Sequence, residues 1–172
     1  MTFCGFDADC WQIWASIAAV LTFPTTLIGL IAIVFTLRAT VNQLRFGAWL
    51  KIQQIWTNEE FTNARGRLFA RLDNPKRIWT KEEKDEALWI CQKMDEFAGL
   101  VIRFLDMKDI LEIWYDPVGK TWFLLRPVVQ EERQGIGWST KWERFEDLGE
   151  RAYKMLLQKG WRPPDQPLAS PE

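Results

Sequence analysis

From Ile13 to Leu37 the chain runs 25 residues without a charged side chain, and 13 of them are Leu, Ile, Val or Phe. At about 1.5 Å per residue, a helix of this length covers roughly 37 Å, against a bilayer hydrocarbon core of about 30 Å. The pattern therefore predicts a transmembrane helix with room for tilt. Pro24 is compatible with it, because Thr22, Thr25 and Thr26 lie near enough to re-satisfy a freed carbonyl. A cleaved signal peptide would have a basic start and a shorter apolar run. Beyond Leu37 the pattern becomes amphipathic. Val41, Leu44, Ala48, Ile52 and Ile55 recur on one face, with Arg38, Asn42, Gln53 and Gln54 off it, so one long helix is expected to continue to about Trp56.

The rest of the chain reads as further helices. Asn58 or Thr57 is placed to cap a second one, roughly Glu59 to Leu72, ended by Asp73-Asn74-Pro75. Thr80 and Glu83 form a capping box opening a longer helix to about Leu105. Its expected apolar face is Ala87, Leu88, Cys91, Met94, Ala98, Val101, Ile102 and Leu105. Asp116-Pro117 and Gly119 predict a turn, with Lys120 to Arg133 as the next helix and Pro127 bending it or near its start. Gly135-Ile136-Gly137 predicts a loop and Thr140 to Lys159 the last helix. The run Ile110 to Trp114 and the pairs Trp122-Phe123 and Val128-Val129 leave a hairpin around Gly119 as an alternative. The fold class is all-α: one N-terminal transmembrane helix continuing into a cytoplasmic helical bundle. The expected parts are 1–10, a short extracytoplasmic N-terminus; 11–37, the span; 38–57, a juxtamembrane helix; 58–160, the helical domain; and 161–172, a flexible tail.

Inside the span, small residues fall at alternating steps of three and four. Ala15, Ala18, Thr22, Thr25, Gly29, Ala32 and Thr36 occupy all seven such positions, while most others are Ile, Leu, Val or Phe. That spacing is the seam of a left-handed helix assembly. In lipid, helices associate through close backbone approach and hydrogen bonding, which small residues and threonine permit. The seam is therefore expected to be an oligomer contact or, in a larger ring, to line a pore.

Charge separates the chain into two parts. Residues 1–37 carry no Lys or Arg and only Asp7 and Asp9, so all 22 basic residues lie beyond them, in a chain of net charge -1. Arg38, Arg45 and Lys51 follow the span with no acid before Thr57, which puts the N-terminus outside and the domain in the cytoplasm by the positive-inside rule. The even balance of Lys and Arg with acids gives no basic face for nucleic acid, so the 11 tryptophans are read as packing residues. Cys4 and Cys10 fall on the outer side, where a disulfide could persist; Cys91 reads as a buried hydrophobe.

No catalytic, metal or cofactor site is expected. The chain has no histidine, which excludes imidazole-based nucleophile systems and histidine-ligated zinc. Gly119-Lys120-Thr121 ends like a phosphate-binding loop, but Trp114 stands where that motif needs glycine. Asp106, Asp109 and Glu112 share a helical face but have no oxygen-rich loop beside them. One structural ion pair, partly buried, is expected between Arg65 and Asp95, each set among apolar residues on neighbouring helices; the alternative is that both side chains reach outward to solvent.

The single span, Trp56 to Arg65 (WTNEEFTNAR), the run Met94-Asp95-Glu96-Phe97-Ala98-Gly99 and Trp122 together resemble a group of uncharacterised bacterial membrane-anchored helical proteins. The likeness covers about residues 10 to 155 and implies a fold and a bacterial inner-membrane location, with no activity. More distantly the chain is similar to accessory membrane proteins of RNA-targeting (type VI) CRISPR systems. Some of these pair one span with a helical domain of nuclease ancestry and form pore-like rings. That nuclease motif needs a histidine, so ribonuclease activity does not carry over. The expected function is a non-enzymatic, homo-oligomeric, single-pass membrane protein. Its partners would be the bilayer, copies of itself and a protein on the cytoplasmic side. A pore-forming or depolarising effector in antiviral defence and a monomeric tethered adaptor are the alternatives.

Overall fold

Two caps read from the sequence are formed. Asn58 Oδ1 accepts the Phe61 N–H at 2.8 Å, and Thr80 and Glu83 exchange both bonds of a capping box, at 2.9 and 3.2 Å. Each side chain answers backbone N–H groups that have no partner within the first helical turn. The helices they open are α2 (Glu59–Phe69), which tightens into a 3₁₀ turn over Ala70–Asp73, and α3 (Lys81–Phe104). Ahead of them runs α1 (Ala8–Thr57), and after them α4 (Met107–Ile136) and α5 (Glu143–Gln158). The computed structural model describes residues 8–75, 77–137 and 140–164, apart from the side chains at 8–10, 19, 21–23 and 136. Among the described residues there is no strand.

The chain divides into two units, Met1–Leu44 and Arg45–Glu172. In the first, every described side chain is exposed, including 12 large apolar residues from Ile13 to Leu37 at 44–72 % exposure. Among the described residues, α1 is the one helix long and apolar enough to cross a membrane.

In the second unit, Ala48, Ile52 and Ile55 are buried with α2, α3, α4 and α5 around one core. The buried face of α3 keeps Ala87, Cys91, Met94, Ala98 and Val101 of the expected one but is rotated at its edge. Ile90 and Phe97 are fully covered, whereas Ile102 is exposed and Leu88 and Leu105 are half-buried. Val41 and Leu44 are likewise exposed. The eight described tryptophans after Leu44 are buried or half-buried, as packing residues should be, and Trp138 lies outside the described residues.

The largest departure from the sequence reading is α4. A turn or hairpin was expected at Asp116–Gly119 and a loop at Gly135–Gly137, yet one helix of 30 residues runs through both prolines and through Gly135. Only Gly137 behaves as a stop, at φ 73° in the left-handed C-cap conformation. Gly119 has a packing role instead. A Cβ there would lie 3.1 Å from the backbone carbonyl of Ala152, so the missing side chain lets α4 and α5 approach closely. Thr121, fully buried beside it, returns its hydroxyl to the Pro117 carbonyl at 2.6 Å. The reciprocal seat is Gly149 on α5, where Trp122 of α4 lies flush against the backbone. The indole then meets Phe145 edge-on at 5.2 Å and donates from Nε1 to Glu150 at 3.1 Å.

The last helix starts three residues later than Thr140. Its N-cap is Trp142, held at φ 60°, a conformation a bulky residue adopts only when packing demands it; its indole is buried in the core. The tail is not loose from Trp161 onward as expected. Trp161 meets Phe123 edge-on at 5.4 Å and Tyr153 at 6.1 Å, and Pro163 is buried. Residues 165–172 lie outside the described residues.

Replacing Gly149 by Ala puts a methyl 2.6 Å from the Trp122 ring. The rigid indole has no easy retreat, so Gly149→Ala is expected to destabilise the fold by about 1–3 kcal/mol, the usual range for overpacking. Denaturant unfolding followed by tryptophan fluorescence measures it, and Gly135→Ala, with open space around the new methyl, is the matched neutral control.

Candidate functional site

Asp95 is the most deeply buried carboxylate among the described residues, at 5 % exposure. It sits on the inward face of α3 between Met94 and Phe97, both fully buried. A carboxylate there needs partners. Arg144 Nη2 bonds Oδ2, and the Phe145 backbone N–H donates to Oδ1 at 3.1 Å. Phe145 belongs to the first turn of α5, where N–H groups lack helical acceptors and the helix dipole favours negative charge. Asp95 therefore docks the start of α5 on α3. Gly99, one turn along α3, completes the seat: a Cβ there would lie 2.9 Å from Arg144 Nη1.

The expected Arg65–Asp95 pair is not formed. Arg65 is half-buried on α2, but its guanidinium lies 4.1 Å over the Trp56 ring and 5.4 Å from that of Phe61. Its Nη1 is buried without a hydrogen-bond acceptor, and burial lowers its pKa from the ordinary value. The cation is held by ring faces in place of a carboxylate. Trp56 in turn stacks on Trp114 at 5.4 Å, and Trp114 on Trp49 at 5.5 Å. This column of indoles ties the end of α1 to α4.

A third polar node was not anticipated. Arg71, only 7 % exposed, lies 3.8 Å over Trp79, bonds the Arg77 carbonyl, and meets Glu83 Oε2 at 3.1 Å. Arg77 takes the other Glu83 oxygen at 2.7 Å. The Thr80 backbone N–H, together with the two arginines, holds the Glu83 carboxyl below its usual range, against a smaller opposing effect of desolvation. One capping glutamate thus pins the whole connection between α2 and α3.

None of these nodes has the parts of a reaction centre. Cys91 is fully buried and desolvation pushes its thiol far up, the reverse of an activated nucleophile. Asp106 caps α4 by accepting the Lys108 N–H at 2.9 Å, and Asp109 and Glu112 are exposed. Among the described residues no three His, Cys, Asp or Glu side chains converge as a metal site would require.

In α1, the seam positions Ala15, Ala18, Thr25, Gly29, Ala32 and Thr36 are exposed on a continuous helix; the side chain of Thr22 lies outside the described residues, as do Cys4 and the Cys10 side chain. Nothing lies within 4 Å of a Cβ built on Gly29. Thr36 donates its hydroxyl to the Ala32 carbonyl at 2.8 Å, so its proton serves the helix, and only its lone pairs face outward. Comparison with known families, with curated proteins and with solved structures finds no match to this chain.

Asp95→Ala removes the acceptor of the buried Phe145 N–H and is expected to cost about 1–3 kcal/mol from that group alone. Asp95→Asn keeps an acceptor and should recover part of the loss. Arg65→Ala should leave the α3–α5 contact intact, because Arg65 does not touch Asp95. Hydrogen exchange at the first turn of α5 distinguishes them: rapid for Asp95→Ala, unchanged for Arg65→Ala.

Proposed function

We propose that the protein is a single-pass inner-membrane protein that self-associates through α1 and carries a cytoplasmic helical domain, with no catalytic activity of its own. The observation that carries this reading is the exposure of 12 large apolar side chains along Ile13–Leu37. At about 1.5–3 kcal/mol for each apolar side chain, leaving them in water would forfeit on the order of 20–30 kcal/mol. That exceeds the whole stability of a typical domain, about 5–15 kcal/mol. Something apolar must cover this helix, and a bilayer does so for a helix of this length. Arg38, Arg45 and Lys51 favour the cytoplasm for the second unit.

Lipid alone accounts for the large residues but not for their separation from the small ones. A helix that turned every face to lipid would gain nothing by gathering Ala15, Ala18, Thr22, Thr25, Gly29, Ala32 and Thr36 on one side. Against a second copy of itself, that side allows backbones to approach closely. The second unit then serves to set the assembly or to receive a protein partner. Its polar nodes all serve packing, which suits a scaffold. The distant likeness to type VI CRISPR accessory membrane proteins points the same way, toward an assembling anchor in bacterial defence.

Light scattering on the detergent-solubilised full chain tests the reading, with a small oligomer expected. Gly29→Leu, which fills the seam without adding charge, should weaken association at least about tenfold, a loss of roughly 1.4 kcal/mol. A monomer at all protein concentrations would leave only a tethered adaptor. Six or more copies, with ion flux from liposomes that Gly29→Leu alters, would replace the scaffold reading with a pore. A chain that stays soluble and monodisperse without detergent would contradict both.

A further inference from the structure

Most cations of the second unit have an acidic neighbour. Arg67 meets Glu86, Arg71 and Arg77 share Glu83, Lys84 meets Glu131, and Arg133 meets Glu146. Lys51 and Arg103 have none among the described residues, and both line one cleft of about 510 Å³ formed by the end of α1, the C-terminal half of α3 and the start of α5. The third cation on this cleft is Arg144, whose side chain remains 61 % exposed while one nitrogen is tied to Asp95. The only acid on the wall is Glu96, which already pairs with Lys93 at 3.1 Å. Ile55, Leu100 and Phe104 supply an apolar floor.

Three cations around a concave, partly apolar site in a chain of net charge -1 leave a local positive excess, because Asp95 holds only one nitrogen of Arg144 and Glu96 is already paired with Lys93. Two of the three are guanidinium groups, whose planar forks match phosphate oxygens. Arg144 is also oriented in advance. Asp95 holds one side of it, and the bare backbone of Gly99 lets it lie against α3. A ligand therefore meets one donor held in place by Asp95 and two with no acidic partner among the described residues.

We propose that this cleft binds a phosphate group carrying an apolar substituent, with Lys51, Arg103 and Arg144 on the phosphate and Leu100 and Phe104 under the apolar part. An anionic phospholipid headgroup and a soluble organic phosphate share this chemistry. The site stands independently of the self-association of α1.

The test uses the full chain in a zwitterionic detergent. Hexyl phosphate is titrated calorimetrically, and retention of phosphatidylglycerol over phosphatidylcholine is read by native mass spectrometry. Lys51→Ala/Arg103→Ala removes the two cations that no fold contact requires; Arg144 is left in place because its loss would strand Asp95. The double variant should weaken binding at least about tenfold, the loss of one charge-assisted hydrogen bond. Lys154→Ala, on the exposed face of α5, should leave binding unchanged. Hexyl phosphate binding without lipid preference assigns the site to a soluble phosphate, and phosphatidylglycerol preference assigns it to the headgroup. Binding of neither probe, or equal binding by the double variant, overturns the proposal.

Discussion

An apolar helix that no other described part of its own chain covers sets the terms for everything else in this molecule. Between Ile13 and Leu37 the described side chains of α1 face outward on all sides, and no packing within the chain compensates their hydration. The free energy at stake is larger than the second unit could supply by folding. The environment we propose for it is therefore apolar over about 30 Å, the thickness of a bilayer core. The proposal of a self-associating anchor adds one refinement: small residues turn to protein and large residues to lipid, because in a membrane shape complementarity between helices replaces the hydrophobic drive.

The second unit obeys the opposite rule, since it hides most of its large apolar side chains, and its buried polar residues Arg71, Asp95 and Thr121 each have a hydrogen-bond partner. Three glycines do much of the positioning. Gly119 and Gly149 let α4 and α5 close on each other, one toward a backbone and the other toward the Trp122 ring, and Gly99 gives Arg144 a flat bed on α3. Asp95 then fastens the first turn of α5 through Arg144 and the Phe145 N–H. The same contact leaves the rest of the Arg144 guanidinium facing the cleft shared with Lys51 and Arg103. A structural ion pair thus also shapes the one strongly cationic concavity described above.

Helix starts were legible in the sequence because their chemistry is local. Asn58 and Thr80 with Glu83 each answer N–H groups within three residues, whereas the Asp106 cap of α4 was not read. Breaks were less legible. Pro117, Gly119 and Gly135 carry the residue types of turns, yet the packing of α4 on α5 keeps a single helix through them, and a tertiary contact of this kind leaves no local signature. The buried position of Asp95 was readable from Met94 and Phe97 beside it; its partner was not, since Arg144 lies 49 residues away on a helix with Arg151 and Lys154 in similar surroundings. A hint was present in Gly99, whose place on α3 one turn beyond Asp95 marks close approach by another group. Arg65 was read correctly as half-buried but given a carboxylate where the fold provides the face of Trp56. The candidate cleft escaped notice because its cations come from three helices.

Spin labels placed singly at Leu30, Val34 and Lys51 of the reconstituted full chain, with collision rates measured against oxygen and a nickel chelate, test the central claim most directly. Oxygen concentrates in hydrocarbon and the chelate stays in water. The account predicts oxygen-dominated collisions at positions 30 and 34 and chelate-dominated collisions at 51. Equal chelate access at all three would mean that α1 is bathed in water, and the reading of this helix as a membrane element would fail.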